Sequence, residues 1–176
     1  MAVSRFWLPL IALTQSCAAL ACPPPYVPPR LVGETEEEYQ PRIDAHFKAQ
    51  RLSTLTRFGQ FQSQYFEAAP EAFVARVVDR KKSGWREQAV LEPVKWIKGE
   101  GRKKRYKVRM DFETSCGPVG GGDAVNQPLG SLVLVMLQAS KDKWTRADRN
   151  FSLDNIQDQS LRAKLIAAGF EASGGI

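Results

Sequence analysis

The chain has 176 residues, 43% hydrophobic and 25% charged, with a formal net charge of +6 at neutral pH. That balance is the composition of an ordinary globular domain. A single histidine excludes a His-rich metal site and leaves a Ser-His-Asp arrangement only one possible base.

The first element is an export signal. Arg5 is the only charge before Arg30, an apolar run follows from Phe6 to Leu13, and small residues lead to Ala19-Leu20-Ala21. Pro9, Thr14 and Gln15 break the run well short of the roughly 20 apolar residues a membrane span needs. Residues 1–21 are therefore read as a cleaved signal peptide, giving a secreted or periplasmic protein that begins at Cys22. A cysteine after the cut is also where a lipid anchor would sit, but Ala19-Leu20-Ala21 matches the Leu-(Ala/Ser)-(Gly/Ala) pattern poorly, so lipidation at Cys22 is the lesser alternative. Loss of Arg5 leaves the mature chain at +5, one below the +6 of the whole. Outside the cytoplasm that charge favours anionic surfaces over nucleic acid. Loss of Cys17 leaves Cys22 and Cys116 as an even pair in an oxidising compartment, where one disulfide is the natural inference. Closing a loop of that length contributes about 4 to 5 kcal/mol in the chain-entropy account.

Residues 22–34 hold five prolines and read as an extended strap. Residues 35–69 form a helical segment. Thr35-Glu36-Glu37-Glu38 has capping-box spacing, Pro41 interrupts a helix begun there, and the main helix is predicted from about Pro41 to Phe66. Its apolar side carries Ile43, Phe47, Leu55, Phe58, Phe61 and Tyr65, with Gly59 a weak point. After Pro70 the period changes to two. Strands are predicted at Ala72 to Asp79, Glu87 to Ile97 (with a bulge or edge position at Pro93), Tyr106 to Phe112 and Leu132 to Leu137, with an edge strand at Trp144 to Ala147. Glu113 to Ser131, with five glycines and Cys116, reads as loop. Asn155 is predicted to cap a last helix with Asp158 at its third position, and Gly169 to end it. Five short strands with helices at both ends give an α+β, mostly β fold: an OB-like five-stranded barrel over residues 70–170, with residues 171–176 as a tail.

Several elements also occur in a recognisable order: Cys22 at the mature terminus, Ala72-Phe73-Val74-Ala75-Arg76-Val77-Val78, Val94-Lys95-Trp96-Ile97-Lys98-Gly99, Cys116-Gly117, and Gly130-Ser131-Leu132-Val133-Leu134-Val135. In these, over about half its length, the chain resembles exported bacterial proteins similar to the netrin-like N-terminal domain of tissue inhibitors of metalloproteinases. The resemblance implies an OB-like barrel with the strap pinned to it by a Cys22–Cys116 disulfide. It also implies a mechanism, in which the α-amino group and carbonyl of Cys22 chelate a protease's zinc and Pro23 to Pro25 stiffen the approach. The chain departs from the inhibitors by having Cys22-Pro23-Pro24 in place of Cys-x-Cys, and by placing its helix from Ile43 to Tyr65 before the first strand. These departures favour a general protein-binding module over an inhibitor.

The remaining constellations favour binding over catalysis. His46 reads as a boundary histidine, and a disulfide removes the Cys116 thiol as a nucleophile. Asp111 and Glu113 read as partners of Arg109 or Lys107. Gly117 to Asp123 has the glycines of a phosphate cradle without the following Lys-Ser/Thr. Asn150-Phe151-Ser152 is a glycosylation sequon only where the source adds such glycans. Lys103, Arg105, Lys107 and Arg109 project to one side of a strand. A solvated basic face is their plainer reading and an anionic envelope ligand their functional one. Nucleic acid is set aside because Tyr106 alternates to the other face and the chain is exported. The expectation is thus an exported, non-enzymatic, netrin-like binding module without cofactor, with Cys22, Pro23 and the basic stripe as its contact residues. The alternative is an envelope-associated structural protein that holds anionic polymers through that stripe.

Overall fold

The computed structural model describes residues 26–83, 86–101, 105–110, 112–114, 117–119, 122–139 and 147–172. The signal segment, Cys22, Pro23, Lys103, Asp111 and Cys116, and with them the disulfide, lie outside the described residues. The protein is α+β. Helix α1 (Glu36–Ala68) leads into strands β1 (Glu71–Ser83), β2 (Arg86–Lys98) and β3 (Tyr106–Arg109). A short hairpin, β4 (Phe112–Thr114) with β5 (Gly117–Val119), and a 3-10 turn at Asp123–Val125 come next. Strands β6 (Leu132–Leu137) and β7 (Asn150–Ser152), a second 3-10 turn at Leu153–Asn155 and helix α2 (Gln159–Ala167) complete the chain.

α1 begins earlier than its sequence suggested. Thr35 and Glu38 form the capping box, with Glu38 accepting from the Thr35 N–H at 3.0 Å, and three glutamates in the first turn favour the helix dipole. Pro41 lies inside the helix at the cost of one backbone hydrogen bond. The residues around it are tied to the strap: Tyr39 Oη donates to the Pro28 carbonyl at 3.1 Å, and Arg42 donates to both oxygens of Glu34 at 2.7 Å. The strap thus runs back along α1, reaching His46 at Tyr26 with ring centroids 5.9 Å apart.

The Glu34 carboxylate is 8% exposed, and the Arg42 guanidinium holds its pKa at about 2. Because this folded value is depressed, the contribution to strap docking is complete above the ordinary carboxylate range and is lost as pH falls through about 2. Pepsin cleavage within residues 26–34, divided at each pH by its rate on an unstructured peptide of the same sequence, is therefore expected to rise as pH drops from about 4.5 to 2. Glu34→Gln is expected to remove that rise.

The main sheet has the order β3-β2-β1-β6-β7 and is antiparallel throughout; it is open, with β3 and β7 as its edges among the described residues. Both faces of β1 are used, as its alternation demands. Phe73, Ala75 and Val77 face an inner core with Leu91, Tyr106, Val108, Val133 and Val135. There Phe73 meets the rings of Trp96 and Tyr106 at 4.4 and 4.8 Å. Ala72 and Val74 face the other way, with Leu134 and Met136, and are covered by Phe66 of α1 and by Leu161 and Leu165 of α2. The register of β1 against β2 skips Ile97, Val94 and Val78, so a bulge falls beside Pro93. The pairing of β2 with β3 spans only Gln88 to Leu91 and has ended before that proline.

Four expectations are corrected. The segment read as loop contains the β4–β5 hairpin and the Asp123–Val125 turn, whose Ala124 and Val125 are buried against the inner core. The edge strand is β7, three residues long, whereas Ala147 is a buried turn residue and Trp144 lies outside the described residues. α2 is capped by Asp158, whose Oδ1 accepts from the Leu161 N–H at 2.8 Å; Asn155 ends a 3-10 turn instead, its amide donating to Asp123 at 3.1 Å. The fully buried stripe of α1's second half is Gly59, Gln62 and Phe66, rotated slightly from the predicted side; Phe58 and Tyr65 of that side pack half-buried against the same core, and Phe61 is 53% exposed. Gly59 explains the rotation: a Cβ there would stand 3.3 Å from the Asp158 nitrogen, so its bare backbone is where α1 meets the chain entering α2. The predicted end of α2 holds, with Gly169 at φ 89°.

Candidate anion-binding face

The helices cover only half of the sheet's outer face. Over the end of β1, the start of β2 and β3, the register sets outward residues in two full rows, Asp79–Val90–Lys107 and Lys81–Gln88–Arg109; beside them Arg76 pairs with Glu92, which the Arg105 side chain reaches from just before β3. Five cations stand there against two carboxylates. Lys107 is exposed and Arg109 half-buried, while Tyr106 and Val108, which alternate with them, are buried in the core, so the predicted alternation of β3 is present. Val90 is 8% exposed and belongs to neither core cluster.

The acids do not neutralise the face. Arg105 reaches Glu92 at only 3.5 Å, with the two side chains 65% and 50% exposed, and Lys81 stands 3.8 Å from Asp79. Such pairs contribute little in water and yield easily to a competing anion. The tighter pairing belongs to the hairpin end, where Lys82 and Arg80 approach Glu87 at 3.1 and 3.2 Å. The Lys82 ammonium, aided by Arg80, holds the Glu87 carboxyl below its usual range.

Two other lysines of β2 are committed to the fold. Lys95 donates to the Ala168 carbonyl at 2.7 Å, at the end of α2, and Lys98 to the Phe66 and Glu67 carbonyls at 3.0 and 2.8 Å, at the end of α1. Each supplies a cation to helix-terminal carbonyls, which α1's own last turn lacks.

The structure thus brings Arg105, Lys107 and Arg109 together and adds Arg76 and Lys81, which sequence reasoning had not placed in the site. Arg76 was readable, since it alternates with Phe73, Ala75 and Val77; Lys81 was missed because Lys81-Lys82-Ser83-Gly84 reads as a turn, whereas β1 continues to Ser83. His46 is a half-buried boundary residue whose ring packs near Tyr26 and Phe47. Glu113 pairs with Pro118 across the β4–β5 hairpin. Among the described residues no group of three metal-ligating side chains occurs, and no helix is long and apolar enough to cross a membrane. The chain matches no protein-family model and has no significant match among curated proteins.

Proposed function

We propose that the protein is an exported, non-enzymatic binding module whose contact surface is the cationic half of the sheet and whose partner is an anionic surface of the cell envelope. The observation that carries this reading is the division of one sheet face: the apolar part lies under two helices, and the part that neither helix covers holds, among the described residues, five basic side chains and two weakly paired acids. Binding of this kind is driven by counterion release. With three to four contacts, log affinity for an anionic polymer is expected to fall against log salt with a slope of about −2 to −3. Lys107→Glu is expected to flatten that slope by about 1 or more. Retention that does not respond to salt, or no retention at low salt, overturns the reading.

The strand order supports an OB-like account of the fold. With β6 and β7 counted as fourth and fifth, the sheet runs third-second-first-fourth-fifth, and β3 and β7 are the strands whose pairing would close a barrel. The netrin-like reading adds the Cys22–Cys116 disulfide and a mature terminus at Cys22. Intact mass of the exported protein tests both, with the expected result a chain starting at Cys22 that gains two hydrogens on reduction. Zinc chelation by the Cys22 amine is a further step of that reading and requires the same free terminus.

A further inference from the structure

The buried stripe of α1 continues past the body that buries it. Gly59 touches the chain entering α2, and Leu55, Leu52, Arg51 and Lys48 precede it at helical spacing, so they lie on the same side of the helix. Leu52 is 53% exposed, Lys48 and Arg51 are exposed, and Leu55 is half-buried. Beyond the Gly59 contact, α1 and the segment leading into α2 part, and a cleft of about 460 Å³ lies between them. Leu52, Leu55 and Gln60 line one wall, and Gln157, Asp158 and Gln159 the other.

We propose that this cleft and the stripe beyond it bind an acidic peptide segment of another protein, extended along α1 with one apolar side chain seated on Leu52 and Leu55. The seat continues the interface that already holds α1 to the body, which makes it a contact surface rather than a solvated face. The side-chain amides of Gln60, Gln157 and Gln159 form no hydrogen bond among the described residues. Each amide both donates and accepts, as a peptide backbone does, so the three suit main-chain N–H and C=O groups. Lys48 and Arg51 form no ion pair among the described residues, and α1 has no acid between Asp44 and Glu67 to offset them. At the other end stands the Asp158 carboxylate, whose Oδ1 accepts from the Leu161 N–H at 2.8 Å and the Ser160 hydroxyl at 2.9 Å. Charge thus runs from positive at Lys48 to negative at Asp158, and the acids of the peptide belong at the Lys48 end. From Lys48 to Gln60 the helix rises about 18 Å, the span of about five or six extended residues. An acyl chain would leave the amides without partners, and a plain polyanion would leave the leucines wet.

The test uses the mature protein and fluorescence anisotropy with labelled hexapeptides. The probe carries two glutamates, a spacer, a leucine and two glycines, and its counterparts replace the leucine by serine or the glutamates by glutamines. The probe is expected to bind in the micromolar range and each counterpart about tenfold more weakly. Leu52→Ser and Arg51→Glu are each expected to weaken the probe about tenfold with an unchanged melting temperature. Arg57→Glu, an exposed cation on the opposite side of α1, is expected to have no effect. Binding that ignores the leucine, or that falls as far with Lys107→Glu as with Arg51→Glu, assigns the peptide to charge alone or to the sheet and overturns the proposal. Tighter binding of phosphatidylglycerol vesicles through Leu52 and Arg51, or self-association lost in Leu52→Ser, makes the occupant a lipid or a second copy and overturns it as well. Absence of saturable binding below millimolar peptide overturns it outright. The cationic face of the sheet stands or falls separately, on its salt slope.

Discussion

Gln62→Leu is expected to destabilise the protein by about 3 kcal/mol, although leucine matches glutamine closely in size and site burial is complete. Gln62 is the polar link between α1 and the chain that leads into α2. Its amide nitrogen donates to the Asn155 carbonyl at 2.7 Å, and its oxygen accepts from the Gln157 N–H at 2.7 Å and more distantly from the Asp158 N–H at 3.4 Å. Leucine leaves those backbone groups buried without their partners, and each such group costs about 1 to 3 kcal/mol. For a chain of this size the melting temperature is expected to drop by about 10 °C, followed by far-ultraviolet circular dichroism. A loss below about 1 kcal/mol would mean that water or local rearrangement satisfies the groups, and that packing around Phe66 alone holds α1 in place.

A loss of similar size, about 3 kcal/mol, is expected for Asn150→Ala, read from the urea midpoint at constant m-value. Asn150 is 1% exposed on β7. Its Oδ1 accepts from the Ala124 N–H at 2.7 Å, and its Nδ2 donates to the Ala147 carbonyl at 2.9 Å. It therefore fastens the Asp123–Val125 turn, which covers the inner core, to the edge of the sheet. Asp123 repeats the link in the other direction, accepting from the Ser152 N–H at 2.8 Å. Gly122 leaves room for this joint, because a Cβ there would stand 2.7 Å from the Asn150 side chain and its φ of 56° is one that L side chains rarely adopt. Because alanine removes both halves of the amide at once, the effect should exceed that of any single exposed substitution on the cationic face.

These two residues mark where sequence reading stops. The strands were legible because alternation is a local signal: Tyr106 to Arg109 and Leu132 to Leu137 fall where the pattern puts them, and the inward set of β1 is the predicted one. The exposed, cationic character of β3 followed from the same signal. Gln62 was invisible because its burial depends on backbone groups more than ninety positions away, which no window of sequence contains. Gly59 read as a flaw in a helix because its role is a contact with Gln157 and Asp158 rather than a property of α1 itself. Asn150 carried a sequon, and the structure instead gives its amide to the core. Asn155 and Asp158 are both good caps by residue type; the 3-10 turn that ends at Asn155 decides between them.

α1 is gripped in two places and bare between them. The strap holds it around Tyr39 to His46 and the sheet holds it from about Phe58 onward, while residues 48–54 are exposed on every side. From Ile43 to Gln62 the helix rises about 28 Å. A rod clamped at both ends acts as a spacer, so whatever engages the strap is kept at a set standoff from the cationic face. That standoff is adjustable in whole-turn steps: inserting seven helix-forming residues near Gln50 lengthens it by about 10 Å and returns both grips to nearly the same azimuth.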